Sequence, residues 1–551
     1  MTWSQVPIYL QCIIIPPLFI CIYASWAFFK GRKSLSDNIP GPQSSSFVYG
    51  NTKEIFDKNG WDYHQRMRDY GGLSRFKGLI GNDYLYIFDP LALNHIFLKD
   101  HDTFEEPKAL ISTFTLLFGS GLSATTGAEH KKQRKLLNPA FSIRQLRNTL
   151  PLLYPIVYRL KEEITLDINK GTGYIDVMSW MTRIALESIT QGGLGHTFHS
   201  FDGDGKSAVY ENAIKLLLPL SFQAYHIYRD LFHSLDKLGV TKFRHLLTVI
   251  LPFKPVKDIQ NAIDGVKEAS IQVLKKKREA LEKEDDAIEV GKGKNMINVL
   301  LKDGVNAGVA EDELIGHMNA IIFGATDTTS SAMSRILSVL AQNPDEQSKL
   351  REEVTIARKE YGDLDYDKLQ SLPYLDAVCR ETLRVYPPGS SVTREALKDT
   401  VIPLQFPIKS KDGLSDIDEV FVPKGTEIYI SILGANRSKT IWGEDAEEWK
   451  PSRWLRALPS SVSEAHLPGV YSQMMTFLGG GRSCIGFKFA EMEIKLVLSV
   501  LVEAFIFEPV VDVSWDMGLI STPRIKNSTD IMPSLPMKVT PVSNCEQGIS
   551  K

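Results

Sequence analysis

The chain has 551 residues and a mass of 61.8 kDa, with 43% hydrophobic and 23% charged residues. Those proportions exclude a disordered chain, a collagen, a coiled coil and a polytopic transporter. Its 63 Lys+Arg against 66 Asp+Glu leave a formal net charge of −3, without the basic excess that marks a nucleic-acid binder.

Residues 1–29 contain no Asp, Glu, Lys or Arg. The apolar core from about Pro7 to Phe29 includes Ile13, Ile14, Ile15, Leu18, Phe19 and Ile20, and roughly 20 apolar residues suffice to cross a bilayer. A cleaved signal peptide would show a positive n-region, a shorter core and a small-residue cleavage site. None is evident, so the stretch reads as a retained transmembrane anchor, with Pro16 and Pro17 tolerated as a kink. Lys30, Arg32 and Lys33 follow at once and put the rest of the chain on the cytosolic side. Ile39-Pro40-Gly41-Pro42 is a stiff, turn-forming segment. The chain thus divides into an anchor over 1–29, a basic and Pro/Gly hinge over 30–45, a body over 46–541 and a polar tail over 542–551. The cytosolic topology would hide the glycosylation-type triplets at Asn436 and Asn527 from lumenal enzymes.

The body is mainly α with a smaller β portion, an α+β composition. Short β-like stretches occur near Arg75–Leu79, Tyr84–Phe88 and Glu427–Ser431. Helical patterns cover Asp258–Glu284, Glu311–Leu340, Leu372–Tyr386 and Phe487–Leu501. The second opens with Glu311, Asp312 and Glu313, whose charges suit a helix N-terminus. The Lys275–Arg278 and Glu282–Asp286 charge runs read as a solvated linker. No internal repeat and no Walker-type loop is present, and Gly479–Gly481 opens no dinucleotide fingerprint.

Five cysteines are too few for a disulfide scaffold at this length. Cys12 and Cys21 lie in the anchor, Cys379 on an apolar helix face and Cys545 in the tail. Cys484 is different. It sits in Phe477-Leu478-Gly479-Gly480-Gly481-Arg482-Ser483-Cys484-Ile485-Gly486, with a helix directly behind. Three glycines let backbone approach something flat and bulky. A cysteine near a helix N-terminus and beside an arginine has its thiolate form favoured, and a thiolate is one of the axial ligands that haem iron takes. An isolated cysteine in a glycine turn is usually inert, but here the spacing F-x-x-G-x-R-x-C-x-G is complete in Phe477, Gly480, Arg482, Cys484 and Gly486. The stretch resembles the haem-binding signature of the cytochrome P-450 family.

Other motifs follow in the family's order, from Pro40 to about Pro541. Glu381-Thr382-Leu383-Arg384 resembles the E-x-x-R motif; the i,i+3 spacing puts both charges on one helix face. The resemblance implies a buried structural triad completed by Arg453. Gly324-Ala325-Thr326-Asp327-Thr328-Thr329 resembles the oxygen-activation motif, with Ala325 where glycine is common. It implies Thr328 beside bound oxygen and Asp327 as proton relay. Helix-interior Ser and Thr otherwise only bond back to carbonyls. His130-Lys131-Lys132-Gln133-Arg134 resembles Trp-x-x-x-Arg, with His130 in place of tryptophan. Arg134, Arg482 and Arg394 are the candidate cations for two haem carboxylates, which the planar guanidinium suits. Asn436-Arg437 stands where the family often has His-Arg.

The resemblance implies a cytochrome P-450-like fold behind a single transmembrane helix in the endoplasmic reticulum membrane, with a cytosolic haem-thiolate catalytic domain. It also implies monooxygenation of an apolar small molecule, with electrons from a membrane-bound NADPH-dependent reductase. Lys488 and Arg134 are candidates for docking that partner. The likeness to fungal members points to secondary metabolites such as terpenoids. Candidate pocket residues are Phe114, Leu116, Leu117 and Phe118, the segment Leu216–Phe222, and Ser390–Thr393. Three other readings remain: a haem-thiolate isomerase or dehydratase needing no external electrons, which the Asp327–Thr328 pair disfavours; a non-enzymatic haem-binding protein; and a thiol hydrolase, which would need a general base near Cys484.

Overall fold

The computed structural model describes residues 35–78, 81–171, 174–198, 200–201, scattered positions between 264 and 275, 309–530 and 532–542. The predicted anchor, the candidate pocket segment 216–222, both charge runs except residue 275, most of the helix predicted over 258–284, and Cys12, Cys21 and Cys545 lie outside the described residues. Among the described residues no helix is long and apolar enough to cross a membrane.

Local chemistry sets the helix boundaries. The helices that matter here are α1 (Trp61–Arg68), α2 (Lys108–Phe118), α3 (Gly127–Leu137), α4 (Ile143–Asn169), α5 (Val177–Glu187), α6 (Glu311–Gln342), α7 (Pro344–Tyr361), α8 (Pro373–Val385) and α9 (Phe487–Ala504). Ser142 caps α4 by accepting the Gln145 N–H, and Asp176 caps α5 by accepting that of Met178. Glu311, Asp312 and Glu313 occupy the first turn of α6. Pro344 and Pro373 begin α7 and α8, where a missing N–H costs nothing. Pro387 and Pro388 then prevent α8 from continuing. The helix predicted over 311–340 is therefore found with two further residues, and that over 487–501 with three.

Among the described residues, twelve strands form the smaller β portion. β1 (Leu73–Lys77), β2 (Asp83–Ile87), β3 (Phe104–Glu105), β5 (Ser391–Ala396) and β8 (Glu427–Ser431) make one sheet in the order β1-β2-β8-β5-β3. Only β2 and β8 run parallel in it. β4 (Tyr174–Asp176), β9 (Phe505–Pro509) and β12 (Pro536–Pro541) make a second, with β12 central. β6 (Thr400–Lys409) pairs with β7 (Asp416–Val422), and β10 (Val513–Asp516) with β11 (Thr522–Ile525).

α6 organises the core. It packs along α5 and also against α8 and α9. Its His317, Ser331, Ser334, Ile336 and Leu337 point to different sides of the helix and all are buried, so the helix is enclosed rather than amphipathic. Thr326, Asp327, Thr329, Ser330 and Ser331 are buried as well yet carry hydroxyls and a carboxyl, with Thr328 half-buried among them. Polar groups in such a place call for a chemical reason.

Candidate active site

The cysteine loop is held from behind by backbone. Cys484 N–H donates to Phe477 O at 2.9 Å and Ser483 N–H to Gly480 O at 3.2 Å, closing the loop on itself. Gly480 has φ +66°, and a Cβ there would lie 2.0 Å from Phe97 O. A side chain at Gly479 would meet Pro468 O at 1.9 Å. The first two glycines thus press the loop onto its support. Gly481 is open, with nothing within 4 Å of where a Cβ would stand. Phe477 packs edge-on to Tyr471 at 5.4 Å and faces Phe487 at 6.0 Å. Gly486 is the N-cap of α9.

Cys484 is solvent-accessible by surface, yet burial pushes its thiol above the ordinary value. The Gly486 N–H bond and the Arg134 charge act in the opposite sense. The expectation that the helix start and a neighbouring arginine favour the thiolate is therefore corrected in two respects: burial outweighs both in the free thiol, and the arginine is Arg134. Arg482, nearest in sequence, turns away.

Arg482 Nη2 donates to Glu105 Oε1 and to Thr125 O, each at 2.8 Å, and its Nη1 lies 3.4 Å from Glu106 Oε2. Arg134 donates from Nη1 to Ser483 O at 2.6 Å and from Nη2 to Ser483 Oγ at 3.0 Å. It clamps the residue preceding Cys484. Arg394, buried in β5, donates to Thr393 O at 2.7 Å and stands 3.8 Å from Glu106 Oε1. Its buried Nη2 has no partner among the described residues. His130 lies among these charges. Burial first, and then the positive charges of Arg482 and Arg134, hold the imidazole neutral, its pKa lowered to about 4. Burial alone would raise the Glu105 carboxyl, but Arg482 and the N–H groups of Glu106 and Gly127 outweigh it and leave it lowered. Three arginines against two glutamates, with one guanidinium nitrogen unsatisfied, leave a cationic excess that a dicarboxylate would neutralise.

Glu381 and Arg384 on α8 are fully buried and paired twice, Nε to Oε2 at 2.9 Å and Nη2 to Oε1 at 2.8 Å. Arg453 Nε completes the triad at 3.2 Å. Glu381 also accepts the Lys450 N–H and the Trp454 indole N–H. Arg384 Nη1 donates to Asn436 O at 2.8 Å and Ala446 O at 2.6 Å. Every charge here is satisfied, the condition for a buried ion cluster to hold its geometry.

Asn436 then links this cluster to the cysteine loop. Its Nδ2 donates to Thr476 Oγ1 at 2.8 Å, and Thr476 Oγ1 donates to Leu383 O at 2.8 Å. Asn436 itself is fully buried.

On α6, Thr328 Oγ1 donates back to Gly324 O at 2.6 Å, and Asp327 is buried. Gly324 is exposed, and a Cβ there would meet nothing within 4 Å, although it lies mid-way along an enclosed helix. The buried Thr326 and Thr329 hydroxyls have no partner among the described residues. Just upstream, Phe118 stacks on Phe323 at 4.7 Å and Phe114 lies 5.8 Å from Phe118. Leu117 and Phe118 thus form, with Phe323, an apolar wall next to Gly324. The turn from Gly119 to Gly121 crosses α6 so closely that a Cβ at Gly316 would lie 2.8 Å from Ser120 C.

Two sets of contacts escaped the sequence reading. Glu105, which ends the short strand β3, and Glu106, which follows it, balance Arg482 and Arg394 and carry no motif. Asn436 looked like a departure from a pattern, and only its partners reveal a bridge. Cys379 is buried and its thiol is pushed up by that burial, in keeping with an inert residue.

A family model described as Cytochrome P450 matches residues 40–522. The chain is 42% identical to a cytochrome P450 monooxygenase of Postia placenta, over 91% of this chain and 93% of that protein. It is 38% identical to the ganoderic acid synthetase of Ganoderma lucidum, over 94% and 96% of the two chains. It is 37% identical to a cytochrome P450 monooxygenase of Hericium erinaceus, over 95% and 96%.

Proposed function

The chain belongs to the cytochrome P450 family, and from that premise we propose the following roles for its residues. The protein is a haem-dependent monooxygenase. Haem (iron protoporphyrin IX), when bound, supplies the activation of dioxygen and the insertion of one oxygen atom into an organic substrate, with electrons from NADPH through a separate reductase. Cys484 would hold the haem iron through its sulfur. Arg394, Arg482 and His130 would receive the two propionates, and Arg134 would join them while clamping Ser483. Phe477, Gly480 and Gly486 shape the loop so that the sulfur is presented to the interior. The observation that carries this reading is the buried Arg394 Nη2, unpartnered among the described residues, within a cationic cluster beside the Cys484 loop.

Thr328 and Asp327 manage protons. The Thr328 hydroxyl holds a proton at the edge of the groove opened by Gly324, and Asp327 resupplies it from the buried side. Glu381, Arg384 and Arg453 are structural. The substrate is an apolar molecule of the terpenoid class. The apolar wall of Phe114, Leu117 and Phe118 supports this, as does the kinship with a ganoderic acid synthetase.

Residues 1–29 are a retained single-pass anchor in the endoplasmic reticulum membrane, with the hinge over 30–45, the catalytic domain over 46–541 on the cytosolic face and the tail over 542–551. The uncharged apolar stretch and the Lys30, Arg32 and Lys33 that follow it support this topology.

The test is a reduced carbon-monoxide difference spectrum of membranes expressing wild type and Cys484→Ala. A thiolate-type signal in the first and none in the second is expected. A colourless wild type with haem supplied, or an unchanged signal in the variant, overturns the reading. Product formation that needs NADPH and reductase separates monooxygenation from a rearrangement without external electrons.

A further inference from the structure

We propose that Arg335 is a positioning residue that sets the shape of the substrate space beside Thr328, by fixing the β10–β11 hairpin against α6. The assignment rests on the haem-monooxygenase reading above.

Arg335 lies on α6 seven residues beyond Thr328. Its guanidinium carbon is 3.4 Å from the ring centre of Trp515 in β10 and 4.5 Å from that of Tyr386, which ends α8. Arg437 continues the stack, 5.2 Å from Tyr386 and 5.9 Å from Trp61 on α1. Trp61 Nε1 then donates to Trp515 O at 2.7 Å and closes the ring of contacts. Among the described residues no carboxylate pairs with Arg335. Its charge is engaged by aromatic faces, an arrangement that uses the flat guanidinium and that an ammonium cannot reproduce.

The hairpin gripped in this way reaches the site. Asp516 and Arg524 pair in two-pronged fashion across its strands, next to the turn, Nε to Oδ2 at 2.9 Å and Nη2 to Oδ1 at 3.1 Å. At its tip, Ser521 N–H donates to Pro388 O at 2.8 Å, and Ser521 O accepts Ser331 Oγ at 2.5 Å. Ser331 and Arg335 are i,i+4 neighbours, so one face of α6 holds both the tip and the strand. Ser331 is one turn from Thr328, and Pro388 stands two residues before the candidate pocket segment 390–393. The tip, with Leu519 and Ile520, therefore borders the space between them. A two-stranded hairpin has little stability of its own, so its placement depends on these anchors.

The test uses purified holoprotein of wild type, Arg335→Gln, Arg335→Lys, Trp515→Leu and the Arg335→Gln/Trp515→Leu double variant. Each is titrated with imidazole, which needs only the iron, and with clotrimazole, which fills the surrounding space; binding is read from the haem spectrum. Imidazole affinity is expected to stay within about twofold, while clotrimazole binding weakens by about tenfold in each single variant. The double variant is expected to lose no more, because both residues act through one contact. Hydrogen exchange over 513–525 is expected to quicken in Arg335→Gln with α9 unchanged. Unchanged clotrimazole affinity in Arg335→Gln, equal losses for both azoles, additive losses in the double variant, or unaltered exchange in the hairpin overturns the assignment. A wild type with no haem spectrum overturns the reading beneath it and this assignment together.

Discussion

Asn436 Oδ1 accepts the backbone N–H of Met475 at 2.7 Å, two residues before Phe477 opens the cysteine loop. Because Asn436 O also receives Arg384, one buried residue connects the charged triad on α8 to the segment that presents Cys484. Asn436→Ala leaves the Met475 N–H unsatisfied at a cost of about 1–3 kcal/mol. The expected result is a lower unfolding midpoint and a smaller thiolate-type share of the carbon-monoxide difference spectrum. Asn436→Asp, which keeps the acceptor, should fall between Ala and wild type.

Removing the Glu381 charge should be far more damaging. Glu381→Gln leaves Arg384 and Arg453 facing each other without a carboxylate in a buried site, a loss of about 3–5 kcal/mol. Against a total stability of roughly 5–15 kcal/mol, little holoprotein should accumulate. Replacing Glu381 and Arg384 together by leucine should not rescue it. The Lys450 N–H, the Trp454 indole, Asn436 O and Ala446 O would all lose partners. Haem content per unit of expressed protein is the measurement; normal content in either variant contradicts this account.

Thr328→Ala removes the hydroxyl that bonds Gly324 O but touches none of the residues around Cys484. It should retain haem and its thiolate-type spectrum while consuming NADPH without matching product and releasing hydrogen peroxide. The ratio of peroxide to NADPH, measured with reductase present, checks this. Tightly coupled turnover in the variant would remove the proposed role.

His64 makes stability depend on pH. It is buried, bonded through Nε2 to Ile55 O at 2.8 Å, and burial lowers its pKa from 6.5 to about 4. The unfolded chain therefore binds the proton more readily, and folding stability falls as pH drops from about 6.5 towards 4. The loss across that window is of order 3 kcal/mol. Below it, both states are protonated and this contribution is constant. Thermal unfolding of wild type between pH 7 and 4, compared with His64→Phe, should show a steeper decline in wild type.

Several features were legible from residues alone because their physics is local. Acidic first turns and proline boundaries located α6 and α8 almost to the residue, since capping and proline sterics act within one turn. The alternating aromatic stretches became β2 and β8 within a residue. The cysteine spacing announced its chemistry because a glycine turn, a sulfur and a following helix are contiguous. What the fold alone decided concerns partners far apart in the chain. Arg482 was expected beside the sulfur, but Glu105, 377 residues away, draws it off, and Arg134 takes the place from 349 residues away. The direction of the Cys484 shift, the unpartnered nitrogen of Arg394, the bridge through Asn436 and the grip of Arg335 on Trp515 arise in the same way. Burial and charge pairing depend on distance in space, and no local pattern encodes which distant carboxylate or ring a long side chain will reach.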